Sequence, residues 1–274
     1  MNDQDYDYAV RRIPHLNLTK YVPPVPLDDL RKDYEQEKHN VSPFEYGVDT
    51  EKNPNLINIV NYLKNHWQGF GIIDITSRGD HMIDYLKEDV NHEYVKTLGI
   101  EFDENGFGIY KPTDIGKRIP KTIEYIYQLF EVVGRTRFSI LKPNGIIGYH
   151  NHEVKSLVDR KRLEKPLIAE GVNRSAIHIP IYDNPKTSHL VTRGWSKDYQ
   201  DSDRFQLPEG ATEYSQHYAP GEVWMFNTVH YHKAVNHGNA DRIHLLCYFD
   251  HFDKRIRPYI EKAIEEYDGV WLKN

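Results

Sequence analysis

The fold is decided by two neighbouring stretches, GEVWMFNTVHYHKAVN (residues 221–236) and DRIHLLCYFD (residues 241–250). Their pattern predicts a turn, a buried strand, a strand that bears histidine, a short polar turn and a strand that opens on an arginine. His232 precedes Arg242 by ten residues. A neutral imidazole can bind a transition metal, and a guanidinium can hold a carboxylate through two parallel hydrogen bonds. The stretches therefore predict a metal site beside an anion site on neighbouring strands.

The composition is typical of a globular protein. At 274 residues the chain can bury a sizeable core, which favours one large domain or a domain with a helical extension. The net charge of −6 gives no indication of a basic surface for nucleic acid or anionic membranes. No apolar run reaches the roughly 18 residues needed to cross a bilayer. The polar N-terminus lacks the apolar centre of a signal peptide. We therefore expect a cytoplasmic enzyme or binding protein without nucleic-acid or membrane partners.

The cysteine and histidine content indicates which kinds of site the chain can form. The single cysteine, Cys247, has no partner for an internal disulfide, and its apolar surroundings predict a buried free thiol. The chain contains 15 histidines, and only those from residue 150 onward fall in clusters that suggest a site. Histidines in polar or helical surroundings are expected at the surface, and these are His15, His39, His66, His81 and His92.

The first half of the chain is predicted to be mixed and rich in helix. Residues 1–27 contain several prolines and are expected to be extended, wrapping a surface. Asp28 or Asp29 is expected to cap a helix through about Glu37, and a second helix is expected to open at Asn53-Pro54. A strand is predicted over 69–75. A long amphipathic helix is predicted from Thr113-Asp114 to near Gly134, with Ile119, Ile123, Ile126, Tyr127 and Phe130 on one face.

The pattern then changes to short strands separated by Gly, Pro and Asn, which is typical of a double-sheet barrel or jelly roll. The predicted strands are 137–141, a short strand ending at His150, 175–182, 189–192, 213–218, 222–226, 230–235 and 242–249. A final helix over 254–267 is expected to pack outside the strands. We predict a mainly β fold with flanking helices, organised as a helix-rich N-terminal region (1–134), a catalytic β core (135–252) and a C-terminal helix (253–274).

A second histidine cluster lies in SILKPNGIIGYHNHE, residues 139–153. His150 and His152 are two residues apart, so on a strand they face the same side and could chelate one metal. His232 lies 82 residues beyond His150, too far for a local loop. A His-x-His pair followed much later by a lone histidine is the spacing of a metal site built across a β-barrel. The alternative is that His150 and His152 are loop histidines without a metal.

Over roughly residues 135–250 the chain resembles the 2-oxoglutarate-dependent non-haem iron oxygenases of the aspartyl/asparaginyl β-hydroxylase and proline cis-4-hydroxylase type. The resemblance depends on four motifs that occur in the family's order. They are Ser139 and His150 eleven residues apart across a Pro-Asn-Gly turn, Arg174 to Ile181 with His178 inside it, Gly221 with Phe226-Asn227, and His232 with Arg242.

The resemblance implies a double-stranded β-helix (cupin) core with a helical N-terminal cover, and Fe(II) and 2-oxoglutarate as cofactors. It implies that His150 and His232 are catalytic iron ligands and that Arg242 binds the distal carboxylate of 2-oxoglutarate. It makes Ser139 and His178 further contacts to that cosubstrate. The alternatives are a structural salt bridge for Arg242 and a hydrogen-bonded core histidine for His178.

The third metal ligand is the point at which this chain departs from the family. Iron oxygenases usually carry Asp or Glu two residues after the first histidine, and His152 stands there instead. Either His152 is a third nitrogen ligand, or Glu153 supplies the carboxylate, or His152 points away. We favour His152 near the metal. His230 gives a fourth imidazole, and a set of four imidazoles could suit zinc or another divalent ion. The family spacing to Arg242 selects His232 as the metal ligand, so we interpret His230 as a wall residue of the site.

These features predict a hydroxylase that oxidises 2-oxoglutarate to succinate and carbon dioxide while hydroxylating an unactivated C–H bond. The expected substrate is a free amino acid, a natural-product precursor or a peptide. Desaturation or cyclisation in place of hydroxylation and the oligomeric state, for example a homodimer, stay open. The alternative class is a cupin-type metal protein without oxygenase activity, either a zinc hydrolase or isomerase or an inactive sensor. The charged segment 153–165 is expected to be a solvated helix or loop, or a lid over the substrate.

Overall fold

The structure is a computed structural model. It describes residues 1–45, 57–77, 82–83, 100–101, 103–104, 108–150, 175–182, 184–193, 212–269 and 271–272.

The described residues form two β-sheets with helices on one side. The strands are β1 (His15–Asn17), β2 (Ser42–Glu45), β3 (Trp67–Asp74), β4 (Met82–Ile83), β5 (Lys111–Pro112), β6 (Val133–Leu141), β7 (Ile146–His150), β8 (Ser175–Pro180), β9 (Thr187–Arg193), β10 (Thr212–Gln216), β11 (Trp224–Asn227), β12 (His232–Asn236) and β13 (Arg242–Phe249). The α-helices are α1 (Asp3–Arg12), α2 (Leu27–Glu37), α3 (Ile57–His66), α4 (Pro120–Leu129) and α5 (Arg257–Glu265). Short 3-10 helices cover Lys38–Asn40 and Gly116–Arg118.

The strand order is that of a double-stranded β-helix. The large sheet runs β1-β11-β8-β13-β6-β3-β2-β4, with β5 beside β3, and the small sheet runs β10-β9-β12-β7. From β6 to β13 the chain passes repeatedly from one sheet to the other, and neighbouring strands in this part are antiparallel. This alternation winds eight strands into a jelly roll. It confirms the predicted fold class, a mainly β core with flanking helices.

The two faces of the large sheet differ sharply in polarity. One face packs on the helices and is apolar, with Phe138, Ile140, Ile177, Ile179, Met225, Ile243, Leu245 and Cys247 in a single buried cluster. The other face turns toward the small sheet and carries Ser139, His178, Arg242 and His244. Side chains alternate between faces along a strand, so one strand can supply both surfaces. The apolar face that packs on the helices therefore stabilises the fold, while the face toward the small sheet carries polar side chains.

The hydrophobic core lies between the large sheet and the helices. Tyr34 of α2 contacts the rings of Phe70 and Phe138 at centroid distances of 6.1 and 5.5 Å. Tyr6, Ala9 and Val10 of α1 are also buried, at the spacing of one helix face. A buried side chain of the size of Val, Leu or Phe contributes roughly 1.5–3 kcal/mol when it is fully removed from water. Cys247 is buried and unbonded to another cysteine, as predicted, and burial raises the pKa of its thiol to about 12.

Two predictions for the N-terminal segment are wrong. Residues 1–27 are not extended throughout, because α1 begins after Asn2, whose side-chain oxygen accepts the Asp5 amide at 2.9 Å. The prolines of this segment follow the helix and do not interrupt it. The predicted helix ending at Glu37 is present, but neither Asp28 nor Asp29 caps it. The N-cap residue of α2 is Pro26, which makes no side-chain cap, and both aspartates lie in the first turn.

The predicted long helix after Thr113 is shorter at both ends. The Thr113 hydroxyl donates to the Gly71 carbonyl at 3.0 Å, which ties this segment to β3, and α4 begins only at Pro120. It ends at Leu129 because Phe130 is extended and the Asp253 carboxylate accepts the next two amides, of Glu131 and Val132. The predicted C-terminal helix is confirmed in place, but it too is shorter than 254–267. The opening of the helix predicted at Asn53-Pro54 lies outside the described residues.

The turn between β12 and β13 is held by a buried amide network. Asn236 is fully buried; its amide donates to the carbonyls of Leu141 and Ala240, each at 2.8 Å, and its oxygen accepts the Gly238 amide at 2.9 Å. A Cβ atom at Gly238 would lie 2.3 Å from the Asn184 side-chain oxygen, so glycine allows the close approach. This network fixes the spacing between the strand that carries His232 and the strand that carries Arg242.

We expect Asn236→Ala to lower the free energy of unfolding by about 2–4 kcal/mol, because it leaves buried backbone groups without partners. Asn239→Ala, at an exposed position of the same turn, is the matched control and should change stability by less than about 0.5 kcal/mol. Urea unfolding of both variants measures the difference. Equal stability of the two variants would show that the network is dispensable.

No described helix has both the length and the apolar character needed to span a membrane.

Candidate metal and anion site

His150 and His232 are brought together by strand pairing. They are direct partners between β7 and β12, and their ring centroids lie 4.2 Å apart. His150 closes β7, and His232 opens β12 next to an irregularity in the register. Because directly paired residues of antiparallel strands share one face, both imidazoles lie on the same side of the small sheet. The two histidines predicted to bind a metal are therefore neighbours across the fold.

The hydrogen bonds of these two rings define their tautomers. His150 Nδ1 lies 2.7 Å from the Gly148 carbonyl, and His232 Nδ1 lies 2.7 Å from the His230 carbonyl. A carbonyl oxygen only accepts, so Nδ1 carries the proton in both rings and Nε2 carries the lone pair. Fixing the tautomer through Nδ1 is how metal-binding histidines are commonly oriented. Burial lowers the pKa of His232 to about 4, which keeps this ring neutral at physiological pH.

His230, which was predicted to be a wall residue, contacts elements outside the histidine pair, and its role stays a prediction. Its own ring donates from Nε2 to the Arg11 carbonyl at 2.9 Å and contacts the Trp271 ring at 5.5 Å. Asn227, in the same loop, donates to the Val10 carbonyl at 2.8 Å. The C-terminal end of α1 thus anchors the loop that precedes His232.

We expect His230→Ala to weaken metal binding by no more than about tenfold, the lower end for second-sphere changes, because the carbonyl that orients His232 belongs to the backbone. A zinc-type site in which His230 is a ligand would instead lose its metal. Equilibrium titration of Fe(II) under anaerobic conditions, compared with wild type, distinguishes the two cases. A loss as large as that of His150→Ala would contradict the wall role.

Arg242 lies in the interior between the two sheets. It is 3% exposed, and its Nη2 group contacts His189 Nε2 and, at 3.1 Å, His244 Nδ1. No carboxylate of the described residues pairs with it, and its buried Nε–H has no acceptor among them. Burial lowers the pKa of Arg242 to about 10, so the group stays charged near neutrality. A buried cation without an acid is costly, which favours a site made for an anion.

Imidazoles from both sheets surround this cation. His178 of β8 and His189 of β9 face each other with ring centroids 4.4 Å apart, and His244 of β13 lies 5.7 Å from His178. Burial, with a smaller contribution from the Arg242 charge, lowers the pKa of all three well below the usual value. Tyr218 stacks on His189 at 4.7 Å. We call His178, His189, His244 and Tyr218 the Arg242 cage. All four side chains are therefore neutral.

The three imidazoles of the Arg242 cage also lie close enough together to suggest a metal site, with possible ligand atoms within 4.8 Å of one another. The Arg242 guanidinium argues against a metal there. It donates to His189 and His244, which occupies the lone pairs a metal would need, and its charge would repel a cation. Of the histidines that the structure describes, His150 and His232 are the better ligand pair.

Ser139 and His178, the other predicted cosubstrate contacts, lie on the same inner face. Ser139 is the register partner of His244, and its hydroxyl accepts the Trp67 indole N–H at 3.0 Å. His178 contacts the Phe226 ring at 6.0 Å, and Phe226 in turn contacts His232 at 4.6 Å. The Phe226 ring therefore touches both His232 and the Arg242 cage. The structure brings Ser139, His178, His232 and Arg242 into one interior region; their roles stay predictions.

The predicted third ligands cannot be placed. His152 and Glu153 lie outside the described residues, as do Arg174 and the charged segment 153–165. The choice between His152 and Glu153 therefore stays open.

One surface prediction is wrong, and four residues of the interior were missed. His15 was expected at the surface, but β1 pairs with β11, so His15 sits beside Phe226 at 5.2 Å with its Nδ1 2.5 Å from the Tyr218 hydroxyl. Burial lowers the pKa of His15 to about 3. His189, Tyr218 and His244 were not predicted to belong to the site, and neither was Arg137 of β6, which is 3% exposed and whose charge contributes to the lowered pKa of His178. His39 is exposed, as expected, while His81 and His92 lie outside the described residues.

The buried histidines predict an acid-sensitive fold. Below pH 6.5 these histidines bind protons in the unfolded chain but not in the folded chain. Each of them therefore lowers the free energy of unfolding by about 1.4 kcal/mol per pH unit as the pH falls. Because burial depresses the folded pKa of His178, His189 and His244, their contribution is intact above the unfolded pKa and is lost progressively below it. We expect urea midpoints to fall steeply between pH 6.5 and 5. Constant midpoints over this range would contradict neutral, buried imidazoles.

The fold and this geometry define a double-stranded β-helix protein with a paired-histidine site near a buried arginine that has no acid partner among the described residues. Residues 210–252 match the aspartyl/asparaginyl β-hydroxylase family. This match confirms the resemblance seen in the sequence over the segment that contains His232 and Arg242. No curated protein matches the chain.

Solved structures similar to the chain include an oxidoreductase, a hydroxylase and a carbocyclase. An oxidoreductase of the 2OG-Fe(II) oxygenase family from Burkholderia pseudomallei is 13% identical, with 94% of each chain covered and a TM-score of 0.42. A prolyl-4-hydroxylase from Pseudomonas putida is 8% identical, with 89% of this chain and 98% of the other covered and a TM-score of 0.38. The carbocyclase SnoK of nogalamycin biosynthesis is 12% identical, with 91% and 84% covered and a TM-score of 0.45. Similarity at this level does not transfer activity, so function is argued from the site.

Proposed function

We propose that the protein is an Fe(II)- and 2-oxoglutarate-dependent oxygenase that hydroxylates an unactivated C–H bond of a small amino-acid-like or peptidyl substrate. One observation carries the proposal. Within a single double-stranded β-helix, two tautomerically fixed histidines lie near a buried arginine that has no acid partner among the described residues. The family match over residues 210–252 supports the same class.

The residues fit the two cofactors. Imidazole nitrogens suit Fe(II), and the tautomers of His150 and His232 leave Nε2 as the donor atom in each ring. The third protein ligand in this proposal is His152 or Glu153. Arg242 suits a dicarboxylate, because an anion there would pair with a charge that no carboxylate of the described residues compensates.

The protein's own residues would orient the cosubstrate and keep water out. Arg242 would bind the distal carboxylate of 2-oxoglutarate, with Ser139 and His178 as further contacts. The Phe226 ring, which contacts His232 and His178, offers an apolar wall for the carbon chain. Bound Fe(II) would supply the oxygen chemistry that converts 2-oxoglutarate to succinate and carbon dioxide as the substrate is hydroxylated.

Release of succinate from 2-oxoglutarate tests the proposal. Purified protein with Fe(II), ascorbate and oxygen is screened against free amino acids and short peptides. We expect succinate that depends on Fe(II) and is stimulated by a subset of the candidates, each with a product 16 mass units heavier. Absence of Fe(II)-dependent succinate with and without every candidate would contradict oxygenase activity.

A further inference from the structure

The two protons of the Arg242 Nη2 group are both directed at imidazole nitrogens. One goes to His189 Nε2, in the small sheet, and the other to His244 Nδ1, 3.1 Å away in the large sheet. Buried arginines are usually paired with acids, and a bidentate carboxylate is their most common partner. Here two neutral acceptors from opposite sheets hold the guanidinium instead.

The contacts themselves require neutral rings. Arginine has no acceptor, so the two imidazole nitrogens that face it must accept and carry no proton. A doubly protonated imidazolium could not take part. Burial, followed by the Arg242 charge, lowers the pKa of His189 and His244 well below the usual value, which agrees with this requirement.

Whether the acceptor is a carboxylate or an imidazole decides whether the positive charge of the Arg242 guanidinium is cancelled. A carboxylate at either position would orient the guanidinium and also cancel its charge. An imidazole orients it and leaves the charge intact. We propose that His189 and His244 are positioning residues that fix the Arg242 guanidinium through neutral acceptors, so that its charge, with which no carboxylate of the described residues pairs, selects an anionic ligand. The inference rests on the proposed function, which supplies that anion as the distal carboxylate of 2-oxoglutarate.

The surroundings hold the two imidazoles in place. Tyr218 stacks on the His189 ring with an interplanar angle of 21°, and the Tyr218 hydroxyl lies 2.5 Å from His15 Nδ1. His244 is the register partner of both Ser139 and Pro180 in the centre of the large sheet. The arginine is thus clamped between two sheets, and its buried Nε–H has no acceptor among the described residues.

Matched amide and acid substitutions test the role of charge. His244→Asn and His244→Asp place a neutral or a charged oxygen near the Nδ1 position, and His189→Gln and His189→Glu do so near Nε2. Calorimetric titration of 2-oxoglutarate into the anaerobic Fe(II)-loaded protein measures affinity. We expect the amide variants to stay within about tenfold of wild type and the acid variants to lose at least about 30-fold, because the acid pairs with Arg242.

The outcomes separate the inference from the proposed function. Equal losses in the amide and acid members of a pair, or no loss in the acid variants while Arg242→Met loses binding, would overturn the positioning role and leave the function standing. Failure of the wild type to bind 2-oxoglutarate would overturn the function and the inference with it. Thermal unfolding of each variant accompanies the titration, and if one pair does not fold the other pair decides.

Discussion

Arg242→Met is expected to weaken 2-oxoglutarate binding by at least about 30-fold while the protein stays folded. Removing one partner of a buried charge pair costs about 2–5 kcal/mol, which corresponds to a loss of affinity of roughly 30-fold to several thousand-fold. The unliganded protein should not lose stability, because Arg242 has no acid partner among the described residues and replacing such a buried cation by an apolar side chain is often neutral or stabilising. Calorimetric titration and thermal unfolding of the same samples measure both effects.

Two control substitutions limit the interpretation of that result. Arg242→Lys keeps the charge but loses the planar fork, so its affinity should fall between those of wild type and Arg242→Met. Lys254→Met, at a side chain that is 86% exposed, should bind 2-oxoglutarate like wild type. Wild-type affinity in Arg242→Met would show that the arginine is a structural residue.

His232→Ala is expected to eliminate both Fe(II) binding and turnover. The substitution removes one of two imidazoles that face each other across β7 and β12, so the loss should exceed the roughly 10–100-fold effect of second-sphere changes. His150→Ala should behave in the same way. Anaerobic Fe(II) titration and succinate release are the measurements.

His237→Ala is the matched control for this pair, since His237 follows the same strand and is exposed. It should retain wild-type metal binding. If His232→Ala bound Fe(II) as tightly as His237→Ala, the metal site would have to be assigned elsewhere, and the histidines of the Arg242 cage would be the next candidates.

The strands of the core could be predicted because their signals are local. Each short apolar run between Gly, Pro and Asn became a strand within a few residues of the predicted bounds, and the sequence Arg242 to Phe249 shows why. Its odd positions, such as Ile243 and Leu245, are apolar and face the helices, while Arg242 and His244 face the interior. The same alternation could have identified His244 as a site residue.

Other parts of the site depend on contacts that no local pattern reveals. His15 reaches the interior only because β1 pairs with β11, more than 200 residues later in the chain. His189 and Tyr218 meet Arg242 because the two sheets face each other, which is a property of the whole fold. The length of α4 was mispredicted because contacts with residues distant in sequence, Thr113 with Gly71 and Glu131 with Asp253, fix its two ends. The division at residues 134 and 252 stays a prediction.

The central claim is that this fold assembles one complex in which His150 and His232 bind Fe(II) and Arg242 binds the far end of 2-oxoglutarate. Visible absorption during anaerobic titration of 2-oxoglutarate into the Fe(II)-loaded protein tests it most directly. We expect a weak charge-transfer band that saturates at one equivalent, that is absent in His232→Ala, and that requires far higher concentrations in Arg242→Met. No band in the wild type, or a band unchanged by both substitutions, would contradict it.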